Sequence, residues 1–177
     1  DILISSNLER LLYHMSGEDD ALVKELMTKL NETGAYEVPE EIKAKLSESF
    51  YAAYCDDKFT MRTISEIERN YSYVMDTHTA VAENVYEQYV AQTHDTTKTV
   101  IASTASPFKF SGSVVSAIMG EDDAPLTDDE FVLIEKLSEI SRMTPPKSLS
   151  ELKDKEVRFP NVTKKEEMIL RVDEFLA

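Results

Sequence analysis

Apolar residues recur at helical spacing along most of the chain. Six stripes of this kind predict amphipathic helices, because residues three or four apart share one face of a helix. Two further helices are predicted from Pro39 and from Thr163, and Thr127 with Glu130 is typical of a capping box. The stripes are Leu8-Leu11-Leu12-Met15, Leu22-Val23-Leu26-Met27-Leu30, Met61-Ile64-Ile67, Val81-Val85-Tyr86-Tyr89, Val114-Val115-Ile118 and Phe131-Ile134-Leu137-Ile140.

Other apolar segments are too short for helices and lie between small, hydroxyl-bearing or turn-forming residues. Such runs are typical of buried strands. Their alternation with helices predicts an α/β fold, in which a partial three-layer open sheet of three to four short strands is covered by many helices. We expect one domain over residues 1–177. The candidate strands are residues 1–5, 50–54, 71–75, 100–102 and 156–159.

The chain is strongly acidic, with a formal net charge of −15 over 177 residues. This charge disfavours nucleic acid and anionic membrane surfaces as partners, since both require clusters of Lys and Arg. No apolar run approaches the roughly 20 residues that cross a bilayer. The single cysteine, Cys55, excludes an internal disulfide and suits a reducing compartment, so a cytoplasmic location is expected.

No complete catalytic or metal-binding constellation emerges from residue spacing alone. The three histidines lack the spacing of a helical metal site, and the four glycines form no phosphate-binding pattern. His78 is the most suggestive, because it lies where a helix begins and where free backbone amides point at whatever is bound. A purely capping role for this segment is the alternative. Ser103 and Thr104 follow a predicted strand, the position at which open α/β sheets bind ligands.

Four segments resemble, in the same order, segments of threonine synthase. They are distributed over nearly the whole chain, which is similar to the C-terminal part of that family only. Thr77 stands where the family usually has proline, and Ser106 where many members have histidine. The segments are DILISSNLERLL at 1–12, DTHTAV at 76–81, STASPFKF at 103–110 and PKSLSELKDK at 146–155.

This resemblance implies a fold type II enzyme that uses pyridoxal phosphate. Such an enzyme is a carbon–oxygen lyase acting on phosphates, and it converts O-phospho-L-homoserine and water to L-threonine and phosphate. Thr104, or less favourably Ser103, would bind the pyridine nitrogen of the cofactor; capping of the next element is the alternative role. A hydroxyl carries no charge to stabilise a pyridinium, so the ring becomes a weaker electron sink.

The resemblance also suggests residues for the substrate site. Asn7 and Arg10 would contact substrate just past a strand end, although a capping and ion-pair role is equally compatible with their position. Lys109 could attract the substrate phosphate or simply pair with a carboxylate, and His78 could face the substrate.

The family's Schiff-base lysine and glycine-rich phosphate cup would precede Asp1, a residue that opens the chain without an initiator Met. We therefore expect a C-terminal fragment that belongs to the large cofactor-binding domain, lacks the rest of its chain, contains no catalytic residue and no metal, and is inactive alone. Two alternatives remain. One is a stand-alone acidic α/β module that docks a partner through its helices, and the other is a related lyase such as threonine dehydratase.

Overall fold

A computed structural model describes residues 4–120, 127–158 and 160–177, and these residues form helices and connecting segments. None of the described helices is long and apolar enough to cross a membrane. Short 3₁₀ turns occur at Pro107–Phe110, Glu151–Asp154 and Lys165–Glu167. The α-helices are α1 (Ser6–Met15), α2 (Asp20–Thr33), α3 (Glu40–Ser49), α4 (Asp57–Tyr71), α5 (Thr77–Thr93), α6 (Ser111–Met119), α7 (Glu130–Ser141), α8 (Lys147–Ser150) and α9 (Met168–Leu176).

The first of two compact units consists of residues 1–54 and 85–97. Its core forms where α1 packs against α2 and α3, because each helix has one apolar face to bury. The buried residues at this junction are Leu12, Val23, Leu26 and Ile42. The second half of α5 also belongs to this unit, and the ring of Tyr89 packs edge-on against Tyr51 with 5.2 Å between centroids.

The second unit consists of residues 55–84 and 98–177, and α6 lies at its centre. Helix α6 packs against both α4 and α7, and it buries the apolar side chains of Val114, Val115 and Ala117 as well as Ser111. The hydrophobic core of the second unit comprises Ile64, Val74, Met75, Ala80, Phe108, Val114, Val115, Ala117, Ile134 and Leu137. This core holds residues 74–80 and the turn at 107–110 in fixed positions.

Several helix starts follow the capping signals of the sequence, but the helix predicted from Thr163 begins only at Met168, after a 3₁₀ turn. Asp19 and Asp56 accept backbone N–H bonds at the starts of α2 and α4, as expected for N-caps. The capping box predicted at Thr127 is wrong, because Asp129 caps α7 instead. The Thr127 hydroxyl accepts a hydrogen bond from the Asp129 backbone N–H, 3.1 Å away, and so supports the cap without forming it.

The predicted α/β fold is wrong for the described part of the chain, which contains no β-strand. The segments 50–54, 73–75 and 99–105 lie outside helices but form no sheet. Of the strand predicted at 1–5, the structure describes only residues 4 and 5. Of the strand predicted at 156–159, it describes residues 156–158. The acidic sequence at 120–125 also predicts a loop, but of these residues the structure describes only Gly120.

The predicted strands form no sheet because a strand requires a pairing partner. An apolar run makes extended backbone favourable, but a strand needs a neighbour that accepts and donates its backbone hydrogen bonds. No described segment supplies that neighbour, and Val100, the first residue of the strand predicted at 100–102, is 89% exposed. The segment 73–75 instead buries Val74 and Met75 against helices of the second unit.

Candidate functional site

The beginning of α5 carries a fully buried carboxylate with several hydrogen-bond partners. The Asp76 carboxylate is 0% exposed, and its Oδ1 accepts the backbone N–H groups of His78 at 2.9 Å and Thr79 at 3.3 Å. The first N–H groups of a helix have no partner within the helix, so a carboxylate at this position satisfies them. Burial of Val74 and Met75 immediately before it places Asp76 inside the unit.

A hydroxyl connects this carboxylate to the segment 103–110. Thr79 is buried on the first turn of α5, and its Oγ1 is hydrogen-bonded to Asp76 Oδ2. The same Oγ1 lies 3.2 Å from the hydroxyl oxygen of Ser103. Two motifs that are 24 residues apart in the sequence are therefore joined through a carboxylate and two hydroxyls.

His78 lies beside this connection and faces outward. Its side chain is 64% exposed, and its Nδ1 is 3.4 Å from Asp76 Oδ1. Its ring packs against Phe110 at a tilt of 49°, with 5.0 Å between centroids. The structure thus brings His78 to the 3₁₀ turn that ends the STASPFKF motif, although its imidazole remains accessible to solvent.

The 3₁₀ turn presents one cation to solvent. Ser106 caps the turn by accepting the Phe108 backbone N–H at 3.3 Å, and Pro107 and Phe108 are buried beneath it. Lys109 is exposed on the outer side. Thr104 is also exposed and precedes the turn.

A pocket of about 360 Å³ opens at the two hydroxyls. Its volume and its mixture of aromatic, apolar and a few polar walls are within the range of small-molecule sites. Ser103 contributes to its lining and Thr104 does not. The lining residues are Ile67, Tyr71, Tyr73, Met75, Thr79, Glu83, Ile101 and Ser103.

The remaining predicted site residues belong to the first unit. Asn7 and Arg10 lie on α1, and the Arg10 guanidinium donates a hydrogen bond to Asn7 Oδ1. Arg10 also lines an open groove of about 560 Å³ between α1 and α2, together with Glu9 and Lys24. The N-cap of α1 is Ser5, whose hydroxyl accepts the Leu8 backbone N–H at 3.3 Å, so the capping role considered for Asn7 is wrong.

Sequence reasoning missed Asp76 and Thr79 as members of the site. Asp76 is recognisable as a helix cap because it directly precedes α5. Thr79 lies three residues later, where a capping residue can reach the backbone N–H of the first turn. The contact between Thr79 and Ser103 has no sequence signal, since it depends on the packing of the second unit.

The pocket, with its hydroxyls and aromatic walls, has the character of a small-molecule site, and comparison with known proteins identifies the family. Residues 79–172 match the family model of the threonine synthase C-terminal region. Because this match covers more than half of the chain, the chain belongs to the threonine synthase family.

Similar proteins agree with this assignment. Threonine synthase of Saccharomyces cerevisiae is 32% identical over 157 residues, which cover 81% of this chain and 30% of that protein. Threonine synthase-like 1 of Homo sapiens is 32% identical over 118 residues, which cover 67% of this chain and 16% of that protein. The crystal structure of PLP-bound threonine synthase from Brucella melitensis superposes with a TM-score of 0.59 at 28% identity, covering 75% of this chain and 27% of that one. The chain therefore spans less than a third of the length of these relatives.

Proposed function

We propose that this chain forms part of a threonine synthase, a carbon–oxygen lyase that converts O-phospho-L-homoserine and water to L-threonine and phosphate. The observation that carries the proposal is the family match over residues 79–172, which begins at Thr79 and contains the Ser103 side of the pocket. The yeast and Brucella relatives named above are called threonine synthases, and their similarity extends over three quarters or more of this chain.

Pyridoxal phosphate is the proposed cofactor, and the residues present fit one side of it. Tyr71 and Tyr73 provide aromatic wall for a planar ring, and a hydroxyl at 103 or 104 would bind the ring nitrogen. When bound, this cofactor supplies an electron sink for carbanion chemistry. Ser103, which lines the pocket, or Thr104 beside it would orient the ring.

Lys109 in the second unit and, independently of it, Arg10 in the first unit are proposed as groups that could bind substrate. Lys109 is an exposed ammonium that can attract the phosphate of O-phosphohomoserine, and the adjoining Phe110 contacts His78. In the first unit, Arg10 offers a guanidinium suited to a carboxylate or phosphate, and its bond to Asn7 restricts its orientation. Each of these groups would bind or orient the substrate without forming a bond to it.

The test uses the protein expressed from its complete gene and supplied with pyridoxal 5′-phosphate. We expect O-phosphohomoserine to yield threonine and inorganic phosphate in equal amounts, measured by amino-acid analysis and a phosphate assay. The 177-residue chain alone should release no phosphate. Release of ammonia and a 2-oxo acid from threonine would favour a dehydratase instead, and absence of any turnover by the complete protein would refute the proposal.

A further inference from the structure

Residues 151–177, at the end of the second unit, lie outside its hydrophobic core. Every one of them that the structure describes is exposed, except Thr163, which is half-buried. The Lys153 ammonium lies 2.9 Å from the Glu135 carboxylate of α7 and connects this segment to the helices of the unit. An ion pair between exposed side chains contributes little to stability. The apolar packing that holds the other helices of the unit is therefore missing from the described part of this segment.

Helix α9 lies in this segment and has one apolar side. Successive residues of a helix are about 100° apart around its axis, so five apolar side chains of α9 fall within an arc of about 120°. Each of the five, which we call the α9 stripe, is between 55% and 79% exposed. Leu170 lies on the opposite side of the helix and is 57% exposed. The α9 stripe consists of Met168, Ile169, Val172, Phe175 and Leu176.

The short length of α9 means that this helix needs a partner. It has nine residues, and isolated helices shorter than about 12–15 residues are marginal in water. No side chain caps its first turn. The stability of such a helix comes mainly from packing its apolar face against another surface. The α9 stripe therefore requires a cover that the described residues of the second unit do not provide.

Two kinds of cover fit the α9 stripe poorly. A helix that lies on an anionic membrane carries many Lys and Arg residues on its polar side. The sequence of α9 has one such residue, Arg171, and it pairs with Glu174 at 2.6 Å. A second copy of the chain is disfavoured because each copy carries a formal net charge of −15, and like charges oppose association. A protein surface that is apolar at its centre and not acidic at its edge fits better.

Proteins of this family contain much more polypeptide than this chain does. The chain spans 30% of the yeast threonine synthase and 27% of the Brucella melitensis one. The family model that it matches is that of the C-terminal region, so most of the remaining length of these relatives precedes the matched part. That length is enough to form a further folded region with an apolar surface of its own.

We propose that the α9 stripe docks on the region that precedes this C-terminal part in the complete protein. The contact fastens the end of the chain to the rest of the molecule. The docking surface is apolar and carries a neutral or basic group beside Asp173, which borders the stripe. This inference goes beyond the proposed function, because it concerns how the complete protein is held together and not which reaction it catalyses.

Hydroxyl-radical footprinting with mass spectrometry tests the contact in the protein expressed from its complete gene. We expect the oxidation rates of Met168 and Phe175 to fall severalfold relative to the same residues in the 177-residue chain. Leu170 is the internal control, because it lies on the same helix, is equally exposed and faces away from the stripe. Its oxidation rate should be the same in both proteins.

A pair of variants in the complete protein tests whether the contact contributes to stability. Val172→Asp introduces a charge into the stripe, so it should lower the Tm and raise the oxidation rate of Met168 to that in the 177-residue chain. Leu170→Asp introduces the same charge on the opposite side and should leave both quantities unchanged. Equal losses of Tm in the two variants would overturn the proposal.

The footprint also distinguishes the other possible covers. Met168 and Phe175 that react in the complete protein as they do in the 177-residue chain would overturn the proposal, as would stripe residues already protected in the 177-residue chain. Protection that disappears on dilution would assign the stripe to contacts between copies and would also overturn it. None of these measurements needs cofactor or turnover, so a complete protein without threonine synthase activity would refute the proposed function and leave this test intact.

Discussion

Replacing Thr79 by valine tests how much the buried Asp76 carboxylate depends on its side-chain partner. Valine has nearly the shape of threonine, so the substitution leaves little new cavity but removes one of three hydrogen bonds to a fully buried carboxylate. Such a carboxylate cannot turn to water for a replacement. The variant therefore isolates the energetic contribution of one charge-assisted bond.

The expected loss can be worked from this geometry. A hydrogen bond to a charged group contributes about 1.5–3 kcal/mol, so the free energy of unfolding should fall by about that amount. For a chain of this length, each kcal/mol corresponds to a change in Tm of about 2–4 °C. The same change at Thr77, whose hydroxyl makes a 3.5 Å contact with the exposed His78 ring, should stay within about 0.5 kcal/mol.

Urea unfolding followed by circular dichroism at 222 nm provides the comparison of Thr79→Val, Thr77→Val and wild type. Hydrogen exchange at the His78 and Thr79 amides then shows whether the loss is local to the start of α5. Thr79→Ser should recover most of the difference, since it retains the hydroxyl. A Thr79→Val variant as stable as Thr77→Val would refute the view that this bond holds the two motifs together.

Three further predictions concern the scaffold around the site. Hydrogen bonds from the Tyr89 hydroxyl, 2.6 Å away, and from Thr97 lower the pKa of the Asp95 carboxyl from 3.8 to about 2, and Tyr89 contributes most, so Tyr89→Phe should raise that pKa part of the way toward 3.8 in a ¹³C NMR titration. Because the folded-state pKa of Asp95 is depressed, its stabilisation of the fold is present above pH 3.8 and is lost as the pH falls through about 2. Acid unfolding of Tyr89→Phe should therefore show less of this loss. Leu137→Ala should lower the free energy of unfolding by about 2–5 kcal/mol in urea denaturation, since Leu137 is fully buried, whereas Val100→Ala should have little effect. Asp129→Ala should cost about 1 kcal/mol in the same assay, because Asp129 accepts two backbone N–H bonds at the start of α7.

Local signals predicted the helices well because a helix makes its backbone hydrogen bonds within its own segment. The observed helix boundaries lie at such signals. The apolar stripe of α1 stops at Met15, where that helix ends. Asp56 caps the start of α4, and Gly34 follows the end of α2. Gly34 ends α2 with a φ of 77°, a conformation that glycine adopts at no steric cost.

Local signals could not show that the predicted strands fail to form a sheet. A short run such as 100–102 favours extended backbone, but its sequence contains no information about a pairing partner elsewhere. The aromatic run 50–54 likewise indicated a buried strand, whereas Tyr54 is largely exposed and Tyr51 packs on Tyr89.

Some residues of the candidate site could be predicted from the sequence, and others could not. Motif resemblance indicated Ser103, Thr104 and His78. The structure places Ser103 and His78 at the same end of α5. The roles of Asp76 and Thr79 depend on a contact across 24 residues, and only the packed structure supplies it.

The most direct test of the account is a crystal structure of the protein from its complete gene with pyridoxal 5′-phosphate bound. We predict that the ring nitrogen lies within hydrogen-bond distance of the hydroxyl at position 103 or 104, with Thr79 behind Ser103. A ring nitrogen bound by other residues, or a cofactor absent from this pocket, would contradict the account.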